Sequence, residues 1–295
     1  MFSFAMLRPV LIFLILSFIP YSTFCKPVSI TNVVVFGDSL SDRGFTKEQG
    51  GFNRYSNGPV WPEYFTSDLC KTCLQVYAWG GAKSDQTNVN NLDWSGLLWQ
   101  VEHYRMTTNP EHTLYIIWVG ANDLIQGETN GAIPPTNIML AMDQLIDKGA
   151  RYIAVFNLPD FSLVPAYNDP QLPEYNEYSP IKGRVKQELK TYNQTLKTLL
   201  KQKKKDYSGD APGVTIYSVD FSDFFNKLIR RYNNKQSPWL GTYDYPEKNG
   251  YFWWDHWHPM TSVHQQIAKH VKQSLEQQAL ILGSELLSPT GDKRA

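Results

Sequence analysis

The sequence predicts an α/β domain: a central, mainly parallel five-stranded sheet with helices on both faces, a three-layer α/β/α sandwich. Two observations predict it. Short apolar or β-branched runs recur along the chain, each followed by Gly, Asn or Asp, and intervening stretches carry apolar residues at steps of three and four. The runs are near-continuously apolar rather than alternating, as in parallel strands covered on both faces.

Taken in order, the predicted strands are Val33 to Phe36, Leu74 to Ala78, Leu114 to Val119, Tyr152 to Phe156 and Val214 to Val219. Val185, Leu189, Tyr192, Leu196 and Leu199 mark one amphipathic helix, whose solvated end is the run Lys201 to Lys205. Val263, Ile267 and Val271 mark another, with Thr261 and Ser262 as its candidate caps. In such a sheet the reactive groups lie beyond the carboxyl ends of the strands.

The N-terminus reads differently. Arg8 precedes an apolar run from Val10 to Leu16 that continues to Phe18 and Ile19 and stops at Pro20. That is the pattern of an export signal, and the run is shorter than the roughly 20 residues a membrane span needs. Cleavage after Cys25 leaves 26–295 as a single domain in a secreted or periplasmic protein; bulky Phe24 disfavours a lipid anchor on Cys25. The mature chain then keeps Cys70 and Cys73, for which an oxidising compartment favours a small disulfide loop over half a zinc site. A redox pair would open a helix, whereas this one follows a helical pattern and precedes a strand.

Composition excludes other classes. The 295 residues carry 28 Lys and Arg against 28 Asp and Glu, which leaves no net field for nucleic acid. At 42% hydrophobic and 14% aromatic the chain can bury a large core, and no fixed-period repeat indicates a solenoid.

The strand ends carry the chemistry. The first is Phe36-Gly37-Asp38-Ser39-Leu40-Ser41-Asp42, where Ser39 is placed to present its hydroxyl and its N–H to one substrate atom. Alternatively, Ser39 or Ser41 caps a helix. It is not a G-x-S-x-G elbow, because Ser41 stands at the second glycine position. The second end carries Gly80 and Gly81, either a tight turn or a close approach to a ligand. The third carries Gly120-Ala121-Asn122-Asp123, where Asn122 either caps a helix or supplies an amide to an oxyanion. Near the C-terminus, Asp255 stands three residues before His258, a spacing that lets a carboxylate hold an imidazole in one tautomer. His256, His258 and His264 lack a clear third zinc-ligand geometry, so no metal is expected, and His256 and His264 read as ordinary surface histidines.

The four blocks in this order resemble the GDSL lipase/esterase family, the SGNH hydrolases. Asn53 to Trp61, Phe156 to Asp160, Tyr192 to Gln194 and His258 to Thr261 look like further landmarks, so the resemblance covers the mature chain. Within the family it is most similar to secreted bacterial lysophospholipase A and glycerophospholipid-cholesterol acyltransferase-like enzymes. The resemblance implies a flavodoxin-like sandwich, Ser39 as nucleophile, His258 as its base, Asp255 orienting the imidazole, and an oxyanion hole of Ser39, Gly81 and Asn122, with no cofactor. One departure is Asp42-Arg43-Gly44, where relatives carry a small polar residue before the glycine; it bears on the rim of the site.

The implied activity is a serine esterase on fatty acyl esters, with lysophospholipid as substrate, transient contact with membrane lipids and no obligate protein partner. Alternatives are transfer of the acyl group to cholesterol or another alcohol, a short-chain or carbohydrate acetyl esterase, and a catalytically silent exported binding protein. Trp239, Tyr243, Tyr245, Tyr251, Phe252, Trp253, Trp254 and Trp257 crowd the approach to His258, half of them as core and the rest as walls of an acyl groove. Pro165 to Pro180, without periodicity, is expected to be a long loop covering the site.

Overall fold

The computed structural model describes residues 29–44, 54–69, 72–125, 130–207, 213–239 and 250–282. In chain order its elements are β1 (Ser29–Ile30), β2 (Asn32–Gly37), α1 (Trp61–Thr66), β3 (Leu74–Val76), α2 (Leu97–His103), β4 (Thr113–Trp118), α3 (Ala121–Ile125) and α4 (Ile133–Asp147). There follow β5 (Tyr152–Phe156), α5 (Tyr175–Tyr178), α6 (Lys182–Asp206), β6 (Thr215–Val219), α7 (Phe224–Leu228), α8 (Thr261–Glu276) and β7 (Ile281–Leu282).

The main sheet has the order β3-β2-β4-β5-β6 and every neighbouring pair is parallel. Its centre is the most apolar part of the chain: all six residues of β4 are buried, and in β2 only Asn32 is not. Helices α2, α4 and α6 pack in a row, and α1 and α8 pack together as a second group, completing the three layers. A short parallel pair, β1 with β7, joins the two ends of the described chain. The predicted five-stranded α/β/α arrangement is present, with each strand within two residues of its expected place.

Three local readings are corrected. Helix α8 is not capped by Thr261 or Ser262; its N-cap is extended Met260, and the Thr261 N–H is taken by Asn57 Oδ1 at 2.8 Å. The Thr261 hydroxyl donates instead to the Pro59 carbonyl, 2.7 Å away, so a distant segment does the capping. Pro165 to Pro180 is a series of short helical turns at Pro165–Tyr167, Tyr175–Tyr178 and Ser179–Ile181, each too short to give a period. His264 is fully buried, because it sits with Val263 and Ile267 on the inward face of α8. Residues 1–25, Cys70, Tyr243 and Tyr245 lie outside the described residues, while Cys73 is buried and disulfide-bonded. No helix among the described residues is long and apolar enough to cross a membrane.

Candidate active site

Strand β2 ends at Gly37, where a Cβ would lie 2.4 Å from the Trp118 carbonyl oxygen, so only glycine fits against β4. Gln100 of α2 clamps this end: its Oε1 accepts the Gly37 N–H at 2.9 Å, and its Nε2 donates to the Gly37 and Ser95 carbonyls at 2.8 Å each. The chain then makes one helical turn, with the Ser41 and Asp42 N–H groups donating to the Asp38 carbonyl. The side chain that caps this turn is Asp38, whose Oδ1 accepts from Leu40 N–H at 3.1 Å, rather than Ser39 or Ser41. Ser41 is buried and accepts the Trp61 indole N–H. Ser39 is left with its hydroxyl turned to the cavity.

That hydroxyl meets the loop before α8. Ser39 Oγ lies 2.8 Å from His258 Nε2, and His258 Nδ1 lies 2.9 and 2.8 Å from the two oxygens of Asp255. Asp255 Oδ1 also accepts the backbone N–H groups of Trp257 and His258, both at 2.7 Å, which fixes the carboxylate before the ring is considered. Burial alone raises the Asp255 pKa, but the His258 charge and these hydrogen bonds outweigh it and hold the group below the usual carboxylate range. An ionised Asp255 draws the ring proton to Nδ1 and leaves Nε2 to accept from the serine. Tyr55 packs over the imidazole with ring centroids 4.8 Å apart.

Gly81 and Asn122 face the same cavity as Ser39 and His258. Gly81 has φ +78°, and a Cβ would meet Asn88 Oδ1 at 2.6 Å and Val89 Cγ2 at 2.8 Å. Its loop is pinned from both sides: Asp42 Oδ2 accepts the Gly80 N–H at 2.8 Å, and Asn88 Nδ2 donates to the Gly80 carbonyl at 2.8 Å. Asp42 Oδ1 also accepts from Gly44 N–H, so the departure at Asp42-Arg43-Gly44 falls on a turn built by Asp42 itself. Asn122 lies within α3 and not at its cap, and one of its amide protons goes to the Ala82 carbonyl at 2.9 Å. Next to it, Asp123 accepts from the N–H and hydroxyl of Ser84, and burial pushes its pKa up to about 6 despite them.

The cavity has a volume of about 190 Å³, with apolar walls that include Tyr55, Ile125, Phe161, Tyr178 and Trp257. Of the aromatic run expected to line a groove, only Trp257 does so among the described residues; Phe252 and Trp253 are fully buried core, and Trp239, Tyr251 and Trp254 pack against that core. Tyr178 and Tyr167 sit edge-on to Trp257 at 4.8 and 5.6 Å, and the Ala166 N–H donates to the His256 carbonyl. The segment from Pro165 thus lies against the loop that carries His258. His256 is half-buried beside Trp257, and His264 accepts the Trp61 N–H at Nδ1, 3.3 Å away. No group of three or more potential metal ligands occurs among the described residues.

Sequence reasoning missed Gln100, Asn88 and the wall residues Phe161 and Ile125. Tyr55 lay within the Asn53 to Trp61 landmark, but nothing there marked it as the neighbour of His258.

The family model described as GDSL-like lipase/acylhydrolase matches residues 33–271. Phosphatidylcholine-sterol acyltransferase of Aeromonas hydrophila is 30% identical over 162 residues, 47% of this chain and 47% of that protein. The secreted effector protein SseJ of Salmonella typhimurium is 28% identical over 228 residues, 70% of this chain and 50% of its own. These alignments span half or less of the relatives' length. One solved crystal structure superposes with a TM-score of 0.51 at 15% identity over 86% of this chain and 100% of its own, a likeness of fold.

Proposed function

The chain belongs to the GDSL-like lipase/acylhydrolase family, and from that premise we propose that it is a serine esterase acting on fatty acyl esters, with lysophospholipid as its substrate class. The observation that carries this reading is the 2.8 Å contact of Ser39 Oγ with His258 Nε2, on an imidazole whose other nitrogen is held by Asp255. Ser39 Oγ attacks the ester carbonyl carbon while its proton passes to Nε2. The oxyanion is held by the Ser39 and Gly81 N–H groups and by the amide proton of Asn122 not given to Ala82. Collapse breaks the bond to the alcohol, which leaves with the proton from His258, and water then cleaves the acyl-Ser39 bond by the same route. The apolar walls of the cavity support an acyl tail.

A second reading rests on the similarity to a phosphatidylcholine-sterol acyltransferase. It differs in one step: an alcohol such as a sterol replaces water in resolving the acyl-enzyme. Release of fatty acid from long-chain lysophosphatidylcholine, lost in Ser39→Ala, is the expected result; no release from the parent sinks the lipid ester reading. Sterol added to the same assay diverts acyl groups into steryl ester only if the second reading holds. Labelling of Ser39 by a fluorophosphonate excludes a silent binding protein.

Export of a mature single domain 26–295 is part of the proposal, supported by the apolar segment behind Arg8 and by a relative named as a secreted effector. Sequencing the exported protein from its N-terminus is expected to begin at Lys26. Peptide mapping of the same sample is expected to join Cys73 to Cys70.

A further inference from the structure

Three tryptophans near the site belong to no part of the main core. Trp79 and Trp94 meet edge to face at 5.3 Å, Trp94 and Trp99 lie tilted to each other at 5.6 Å, and His103 stacks on Trp99 at 4.1 Å. Each tryptophan is only partly buried, and none is among the residues packed against the hydrophobic core. Leu92, on the loop that carries Trp94, is 36% exposed. This loop is rigid. Asn88 N–H donates to the Leu92 carbonyl, Asn88 Oδ1 accepts from Asn90 N–H, Asn88 Nδ2 reaches Ser95 Oγ, and Asn91 and Ser95 hold left-handed backbone at φ 58° and 72°. Its other side is the catalytic cavity, which Val89 and Asn90 line.

Apolar side chains gathered outside the core, on a loop that also lines a cavity, form a surface that a partner can cover. Tryptophan, with an apolar body and one N–H, suits the boundary between water and lipid. Charge narrows the choice: residues 84–99 contain Asp85 and Asp93 and no Lys or Arg. We propose that the loop around Leu92, with Trp94 and Trp99, docks on a zwitterionic lipid surface and sets the cavity mouth against it. The inference rests on the lipid ester reading above and names the surface through which substrate arrives.

The chain also has a basic face, on α6, where Lys190, Lys197, Lys201 and Lys204 fall on one stripe and make no ion pair among the described residues. Docking there would require anionic lipid and would weaken with salt, so the two faces are separable by experiment.

The test uses the mature 26–295 protein carrying Ser39→Ala, which cannot consume the vesicles, and cosedimentation with phosphatidylcholine vesicles. Binding is expected to persist in about 0.5 M salt. Leu92→Asp and Trp94→Ser are each expected to weaken it about tenfold or more, as loss of one buried apolar side chain predicts. In the Ser39 background both substitutions are expected to leave hydrolysis of a water-soluble short-chain ester unchanged; Leu92→Asp is also expected to leave the melting temperature unchanged, whereas Trp94→Ser lowers it slightly through its two lost ring contacts. Unchanged vesicle binding in both variants overturns the proposal. So does binding that needs phosphatidylglycerol and disappears in salt and in Lys197→Glu/Lys201→Glu. A patch that serves a second copy of the chain, revealed by a dimer that Leu92→Asp dissolves without affecting vesicle binding, also overturns it. Failure of the esterase reading shows separately, as a parent protein that binds vesicles but turns over no ester.

Discussion

At Asn122 one amide proton already belongs to the Ala82 carbonyl, 2.9 Å away, so the side chain is oriented before any substrate arrives. Removing a preorganised donor of this kind costs about 3 kcal/mol of transition-state stabilisation. Asn122→Ala is therefore expected to lower kcat roughly a hundredfold with KM little changed, as steady-state assays on one ester will show. Gly81→Ala is expected to do more harm to the fold, since φ +78° and the side chains of Asn88 and Val89 all oppose a Cβ. Thermal unfolding should register a loss above about 1 kcal/mol. Single residues of this sort were legible unevenly. Ser39, Asn122, Asp255 and His258 stand at strand ends or just before a helix, where few residue types serve and spacing is informative. Gln100 is an ordinary residue in an amphipathic stretch, and its three hydrogen bonds to Gly37 and Ser95 exist only after α2 has packed on β2.

Among the elements, the strands were legible because burial on both faces leaves an unbroken apolar run, visible without any partner. The helices were less so. Helix α2 is seven residues long, too short for a periodic signal, and α4 opens on Pro134 and Pro135, which read as breakers in a sequence yet are tolerated in a first turn. The cap of α8 was misread because its acceptor, Asn57, is 204 residues away. Helix α2 matters most for the site, through Gln100. Gln100→Leu keeps the volume but strands the buried Gly37 N–H and the Ser95 carbonyl, while the Gly37 carbonyl keeps the Trp79 N–H, so chemical denaturation is expected to find a loss of about 2–3 kcal/mol. Activity should fall with it, because the turn that carries Ser39 begins at Gly37.

For the molecule as a whole, two buried groups tie stability to pH in opposite directions. Burial pushes the Asp38 carboxyl from 3.8 up to about 7, against its hydrogen bond from Leu40 and the pull of His258. Between those values the folded chain keeps a proton that the unfolded chain has lost, so this contribution falls as pH rises and is fully lost above about 7. His264 behaves in the reverse sense. Burial, with the His258 and Arg54 charges, pushes it from 6.5 down to about 3, so the unfolded chain takes up the proton first and stability falls as pH drops through that window. Melting curves of Asp38→Asn are expected to gain on the parent as pH rises from about 4 to about 8. His264→Gln is expected to flatten the parent's decline below about pH 6.5. Neither group was readable from the sequence as buried: Asp38 drew no reading of its own beside Ser39, and His264 read as surface.

The segment from Ser56 to Trp61 stitches the two ends of the site together. Ser56 donates to the Pro259 carbonyl, Asn57 caps α8, and Trp61 reaches both Ser41 and His264. Ser39 and His258 are separated by 219 residues and are joined only through such late-arriving contacts. A chain emerging from its N-terminus thus carries its serine from the outset but has no partner for it until α8 has been made and docked. For the cell that synthesises it, the length of the polypeptide is itself a delay, since the serine and histidine ends of the site meet only when nearly all of the chain has been made.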